Sequence, residues 1–237
     1  MNIQINERLT LFLEGGQAVS TDAYLLSAYA KKTKLCAELG CGTGVCSLLL
    51  ADHKKADRIV AYELQDELAR AAAENVQKNE LGEIIFVKQA DIRTLAREER
   101  FDTVVANPPY LKVSGKTSPD AAKAVARQEF FGGVADFCAC ASRLLTDGGR
   151  FYCVYRPDRL SELFAALKEN RFEPKLMTLV HHTLTAEASM VLIEAKKGAS
   201  PSMRVTRPLI LRKDNGEMTD DAQKIYDNCT FKDFLYE

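Results

Sequence analysis

The chain has 237 residues, 46% of them hydrophobic and 27% charged, with 32 Lys+Arg against 33 Asp+Glu for a formal net charge of −1. That length and balance suit one or two globular domains with a substantial core, and they exclude a disordered chain, a coiled coil and a fibre. With no global basic field, any attraction to nucleic acid must come from a local patch. The first ten residues, MNIQINERLT, are polar and lack the basic flank and apolar stretch of a secretion signal, and no run approaches a membrane span. The seven cysteines are scattered, form no CxxC and mostly sit in apolar segments. They read as small buried hydrophobes rather than metal ligands or redox groups, which points to a reducing cytoplasm and to no metal site.

In chain order, residues 1–19 read as strands or a hairpin turning at Gly15-Gly16. Residues 22–31 read as a helix capped by Ser20, Thr21 or Asp22. Strands follow at 34–39, 58–63, 84–88, 101–106 and 150–155, and helices at 45–52, 65–79, 135–145 and 160–170. Gly148-Gly149 reads as the stop of the third of these helices. This alternation predicts an α/β fold, a parallel sheet with helices on both faces. Residues 172–181 and 189–197 are two β-rich runs joined by a link too short for a crossover helix, so they should pair antiparallel. The segment 111–129 is long, polar and loop-like. Residues 198–237 form a polar tail. The expected organisation is an N-terminal part over 1–33, a core over 34–197 and a basic extension over 198–237 packed on it, one domain overall.

Chemistry concentrates at the strand ends. Glu38-Leu39-Gly40-Cys41-Gly42-Thr43-Gly44 closes the first core strand and opens a helix. Val45 stands where a dinucleotide fingerprint needs its third glycine, and the G-K-[ST] of a P-loop is absent. The acid before the glycines repels a pyrophosphate and suits a ligand carrying an ammonium or sulfonium. Glu63, at the next strand end, can accept from both hydroxyls of a ribose, and Asp91, after the third, from an adenine amino group. Each alone reads equally as a cap or a surface acid.

These residues resemble the class I S-adenosylmethionine-dependent methyltransferases, whose loop reads [DE]-x-G-x-G-x-G. The match runs over about residues 20–197. It implies a Rossmann-like, seven-stranded, mostly parallel sheet with a C-terminal antiparallel hairpin, and S-adenosylmethionine as cofactor. By the resemblance the glycine loop (Glu38, Gly40, Cys41, Gly42, Gly44) holds the methionine part, Glu63 and Leu64 the ribose, and Asp91 and Ile92 the adenine. Asn107 lies beside the reacting end.

Asn107-Pro108-Pro109-Tyr110 follows the fourth core strand. An exocyclic amine is a poor nucleophile because its lone pair is delocalised into the ring. Two acceptors on its N–H groups, the Asn107 side chain and the Pro108 carbonyl, would favour the tetrahedral nitrogen of attack. Pro109 biases Pro108 towards an extended conformation, and Tyr110 can stack on a base. Alone, the motif reads as a turn. In this position it resembles the amino-methyltransferases acting on adenine N6, guanine N2 or protein glutamine.

Val19-Ser20-Thr21-Asp22, leading into Leu25-Leu26, resembles the V-x-T-D-x-x-L-L segment of bacterial methyltransferases acting on adenine N6 at position 37 of a valine tRNA. In that family this segment, Thr21 and Asp22 here, lies at the cofactor's methionine end. Ala126-Arg127-Gln128-Glu129 echoes an A-R-x-E element of the same family, on a helix over 125–131. The RNA contacts expected are Lys112, Lys116, Lys123 and Arg127 after the motif, and Lys196, Lys197, Arg204, Arg207 and Arg212 in the tail. A solvated basic tail would look the same. The implied partner is tRNA, through its anticodon loop, with no membrane and no obligate protein partner. The protein-glutamine methyltransferases are the alternative, although they carry a longer N-terminal region and a Pro-Glu pair where this chain has Leu111-Lys112. A non-catalytic cofactor- or RNA-binding module is a third reading. His53, His181 and His182 carry little signal beyond a cation at a helix end and polar turn residues.

Overall fold

The computed structural model describes residues 2–12, 21–96, 100–109 and 132–236. The turn at Gly15-Gly16, Ser20, Tyr110, the 111–129 segment with Lys112, Lys116, Lys123 and Arg127, and the 125–131 helix lie outside the described residues.

The described chain begins with a small antiparallel ribbon, β1 (Asn2–Gln4) and β2 (Thr10–Phe12), followed by α1 (Thr21–Tyr29). The alternating core is β3 (Thr33–Leu39), α2 (Val45–Asp52), β4 (Ala56–Glu63), α3 (Asp66–Lys78), β5 (Ile85–Gln89), β6 (Phe101–Ala106), α4 (Val134–Leu144), β7 (Leu145–Tyr155), a 3-10 turn (Pro157–Arg159) and α5 (Leu160–Glu169). The hairpin is β8 (Phe172–His181) and β9 (Ala188–Lys197), and the tail holds β10 (Arg204–Val205), β11 (Leu209–Ile210), α6 (Asp220–Asn228) and α7 (Lys232–Tyr236).

The main sheet runs β10-β8-β9-β7-β6-β3-β4-β5, with β11 also on β8. All pairings are parallel except β7 with β9 and β8 with β9, so the hairpin closes the sheet as expected. The strand count differs from seven. Among the described residues the sheet has nine strands, because two-residue pieces of the tail add to the free edge of β8. Runs of two residues carry no readable alternation, so neither could be placed from its own pattern.

Burial follows the side-chain alternation of the strands. Cys36, Ile59, Ala61, Val105 and Tyr152 face one layer, with α1, α2, α3, α6 and α7. Ala37, Leu39, Val60, Val104 and Phe151 face the other, with α4 and α5. Because both faces are covered, the central strands are apolar without interruption.

Gly148-Gly149 does not end a helix. The helix stops at Leu144, and the extended backbone of Leu145 starts β7 at once. The glycines sit in an irregularity of the β6–β7 pairing, between Phe101↔Leu145 and Thr103↔Arg150. Gly148 has φ +79, and a Cβ on Gly149 would stand 2.9 Å from Leu145 Cδ2 and 3.0 Å from the Thr146 carbonyl oxygen.

Strand order reverses between β3 and β6, whose carboxyl ends diverge into the glycine loop and the Asn107 segment. In open α/β sheets, such a switch point is where ligands bind.

Candidate functional site

A cleft of about 440 Å³ opens at this point, within the usual range for small-molecule sites. Its wall includes Gly40, Gly42, Glu63, Asp91, Ile92 and Asn107, all expected from the sequence. Leu64, also expected, and Pro109 belong to it as well.

The glycine loop is tied to the neighbouring strand. The Gly40 and Cys41 amides donate to the Tyr62 carbonyl at 2.8 and 3.0 Å. Gly40 and Gly42 have φ +69 and +56, and a Cβ on Gly42 would meet nothing within 4 Å, so the backbone there presents itself bare to the cleft. Gly44 packs against α3. It caps α2 with φ +86, and a Cβ would lie 3.4 Å from the Ala72 Cβ on α3.

Glu63 is buried and held at both oxygens. Gly42 N–H donates to Oε2 and Gln65 N–H to Oε1, each at 2.9 Å. Each oxygen keeps a lone pair for a further donor. A pinned carboxylate with free acceptor capacity beside an open backbone fits the two hydroxyls of a ribose.

Glu38 lies behind the loop and is not part of the described lining of the cleft. It is buried and accepts a hydrogen bond from the Ser47 hydroxyl of α2. Burial pushes its carboxyl up to about 7, the Ser47 bonds hold it back, and the Glu63 charge adds to the rise. Its contact is with Ser47 of α2, behind the loop.

Asp91 is half-buried and engaged by its neighbour. Arg93 donates Nε to both carboxylate oxygens at 3.0 Å and Nη2 at 2.6 Å, and these bonds hold the carboxyl below its usual range. One face of the acceptor is therefore taken before any ligand arrives.

Asn107 carries the most telling feature. Its Oδ1 is buried and has no hydrogen-bond partner among the described residues, while the residue lines the cleft. A buried amide oxygen left without a donor costs about 1–3 kcal/mol. Pro108 is buried and Pro109 lines the wall, so the acceptor sits on a stiff backbone.

Thr21 and Asp22 are not among the described residues that line the cleft. The Thr21 side chain hydrogen-bonds Tyr226 of α6, and Tyr24, one turn on, stacks on the Tyr226 ring at 4.6 Å. Burial raises the Asp22 carboxyl, against a hydrogen bond from its own backbone.

The basic candidates divide. Lys196 and Lys197 lie at the amino edge of the sheet, where Lys196 pairs with Arg150, roughly 17 Å along β9 from the level of Tyr155. Lys197 Nζ donates to the Ser142 and Leu145 carbonyls at 2.6 and 3.0 Å and so finishes α4. Arg207 is ion-paired to Asp221 and lies 4.2 Å over the Phe234 ring. Arg212 donates to the Gly216 carbonyl at 2.7 Å and lies near the carboxyl edge, its amide bonded to His182. Arg204 is exposed on β10. His53, read as a cation at a helix end, is pushed down by burial and so favours its neutral form.

Three contributors escape a reading of the sequence. Phe137, in the first turn of α4, lines the cleft with its ring 3.4 Å from where a Gly40 Cβ would be. Gln65 and Leu68 complete the wall from the start of α3. Nothing in their spacing separates them from ordinary helix residues. Among the described residues no three His, Cys, Asp or Glu gather as a metal site, and no helix is long and apolar enough to cross a membrane.

The Methyltransferase small domain profile matches residues 3–170. An Escherichia coli protein named tRNA1(Val) (adenine(37)-N6)-methyltransferase is 32% identical over 154 residues, which are 63% of this chain and 62% of the relative, so the match spans under two thirds of that protein. The structure of a predicted O-methyltransferase from Agrobacterium tumefaciens superposes with TM-score 0.72 at 24% identity, covering 89% of this chain and 97% of the other. TrmN from Thermus thermophilus superposes with TM-score 0.54 at 23% identity, covering 74% of this chain and 47% of the other.

Proposed function

The chain belongs to the methyltransferase small domain family, and from that premise we propose that it methylates the exocyclic N6 amine of an adenine in RNA, at position 37 of a tRNA. S-adenosylmethionine supplies the methyl group from its sulfonium. The one observation that carries the amine target is the buried Asn107 oxygen with no donor among the described residues, at the switch point of the sheet and in the wall of the cleft.

The chain's own groups then divide the work. Glu63 accepts from the ribose hydroxyls, and the bare backbone at Gly40 and Gly42 lets the cofactor approach without a Cβ in the way. Phe137 and Ile92 supply apolar surface for the adenine ring of the cofactor, and Asp91 accepts from its amino group with the oxygen capacity Arg93 leaves. Asn107 Oδ1 and the Pro108 carbonyl take the two N–H groups of the substrate amine. They orient its lone pair on the methyl carbon for in-line displacement. Those hydrogen bonds tighten as the nitrogen becomes tetrahedral, so they favour the transition state over the bound substrate. The sulfonium would leave as the neutral thioether S-adenosylhomocysteine, and the cationic methylated nitrogen would lose one proton to water, so positioning takes the place of a general base during attack.

The name of the E. coli relative supports adenine 37 as the target, over the aligned portion. The test is nucleoside analysis of tRNA from a strain lacking the gene, joined to transfer of labelled methyl to tRNA by the purified chain. N6-methyladenosine should fall in the deletion strain and form in vitro. Unchanged N6-methyladenosine, with label entering ribosomal protein instead, would move the substrate to glutamine and overturn the RNA reading.

A further inference from the structure

The edge of the sheet opposite the methyl-transfer cleft carries a second concavity, also of about 440 Å³. It opens where β3 and β4 begin, between the carboxyl ends of α1 and α2 and the start of α7, roughly 20 Å from the first cleft along β3. Four exposed lysines stand around it, Lys31, Lys32, Lys54 and Lys232, and its described lining contains no carboxylate. Lys31 is paired with Glu194 at 2.9 Å, whereas Lys32, Lys54 and Lys232 have no ion pair among the described residues.

Behind the wall lies a fifth lysine. Lys55 is buried, and its ammonium donates to the Ser27, Ala28 and Cys229 carbonyls at 2.6, 2.7 and 3.0 Å. Those bonds use all three of its protons, and no carboxylate offsets its charge. Burial lowers it to about 8, so it remains largely charged near neutral pH. His53 also lines this cavity, but its buried Nε2 lies 3.7 Å from the Asp52 carboxylate, with no hydrogen-bond partner among the described residues.

The carboxyl ends of α1 and α2 bring partial negative charge here, but that demand is already met. Lys55 takes the last carbonyls of α1, and the His53, Lys54 and Lys55 amides take those of Leu49, Ala51 and Leu50 at the end of α2. The three unpaired lysines exceed what the helix ends require. Lys54 also holds φ +52, a backbone conformation that favours glycine, so a charged side chain stands where the turn itself asks for none.

We propose that this cleft binds a phosphate group, with Lys32, Lys54 and Lys232 neutralising it. The phosphate comes either from the backbone of an RNA or from a small free phosphate compound, and both present the same oxygens. The site is separate from the methyl-transfer cleft and does not depend on the substrate assigned there.

The test uses the whole chain, with Lys54→Gly and with Lys32→Gln combined with Lys232→Gln. Glycine suits φ +52, so the first variant removes a charge without straining the fold. Inorganic phosphate is titrated by calorimetry at low ionic strength, and unfractionated tRNA is bound across a salt series. Phosphate affinity should drop about tenfold or more in either variant, the scale of a lost charge-assisted bond, with S-adenosylmethionine affinity unchanged. If RNA backbone fills the cleft, the slope of log affinity against log salt also falls by about two in the double variant. A lost phosphate affinity with an unchanged slope assigns the site to a small phosphate compound. If neither phosphate affinity nor salt slope separates the wild type from the variants, the lysines only decorate the helix ends and the proposal falls. A chain that binds phosphate but no tRNA keeps this site while sinking the RNA reading of the first cleft.

Discussion

At the scale of single residues, two side chains in and behind the cleft make opposite kinds of claim. In the proposed role Asn107 accepts a bond that strengthens during reaction, so its loss would belong in a rate constant and not in ground-state affinity. Asn107→Ala should leave cofactor and RNA binding nearly intact and lower single-turnover methyl transfer by about 10²–10³. If RNA binding collapses while that rate stays put, Asn107 is a docking residue. Glu38 makes a claim about stability. Its folded carboxyl titrates at about 7 against 4.5 for an ordinary glutamate. Between those values the folded chain keeps a proton that the unfolded chain has released, so this group's contribution declines as pH rises through the window. Glu38→Gln cannot ionise, and the Ser47 hydroxyl can turn to bond the amide. The variant should therefore gain on the wild type as pH climbs from about 5 to about 8, by on the order of 1–3 kcal/mol. Urea midpoints for both proteins at the two ends measure this, and an identical difference at each end would show that Glu38 stays ionised in the fold.

At the scale of elements, the glycine loop is steadied from a direction that spacing does not show. Asn75 of α3 is fully buried. Its Oδ1 accepts from the Phe12 amide at 2.8 Å, and its Nδ2 donates to the Thr43 carbonyl at 3.1 Å, inside the loop. One turn on, Asn79 exchanges two bonds with the backbone of Thr10. The β1–β2 ribbon is thus clamped on α3, and Asn75 links the clamp to the loop by a hydrogen bond. Asn75→Ala should cost roughly 2–4 kcal/mol from buried groups left unpaired and should also weaken S-adenosylmethionine binding by calorimetry. Asn79→Ala should cost less and leave cofactor affinity alone; equal effects of the two on affinity would mean the ribbon, not the loop, is what matters. These asparagines also mark where sequence reading stops. The strands at 34–39 and 101–106, the hairpin and the switch point were legible because local period and turn residues determine them. Glu63 and Asn107 were legible because strand ends point into one crevice. Asn75 looked like any helix residue, since its partners lie over thirty and sixty positions away. Phe137 looked like a core residue, and it is one, packed against Gly40 as well as the cleft. The place of Glu38 behind the loop needed the Ser47 contact, which only the packed α2 supplies.

At the scale of the whole molecule, the tail is joined to the core on the face away from α4 and α5. Phe231 is 2% exposed and meets Tyr29 edge to face at 5.0 Å and Phe234 at 5.5 Å. Beside it, the Lys55 ammonium bridges α1 to the Cys229 carbonyl, and Tyr24 stacks on Tyr226. The same apolar cluster continues from Phe231 and Ile225 through α1 and α2 into the sheet. The continuity of this layer from the tail to the sheet predicts a single cooperative transition, and a cofactor bound at the far edge then stabilises every part of it alike. Phe231→Ala opens a cavity in that cluster and should cost about 3–5 kcal/mol, lowering the melting temperature by on the order of 10 °C for a chain of this size. Its calorimetric trace should keep one peak, and saturating S-adenosylmethionine should raise that peak about as much as it raises the wild type. The cleft is untouched by the substitution, so the cofactor's differential affinity for the folded state does not change. Were the tail a separate unit resting on the core, Phe231→Ala would split off a low-temperature transition that the cofactor fails to move. The 198–237 segment would then be a domain of its own.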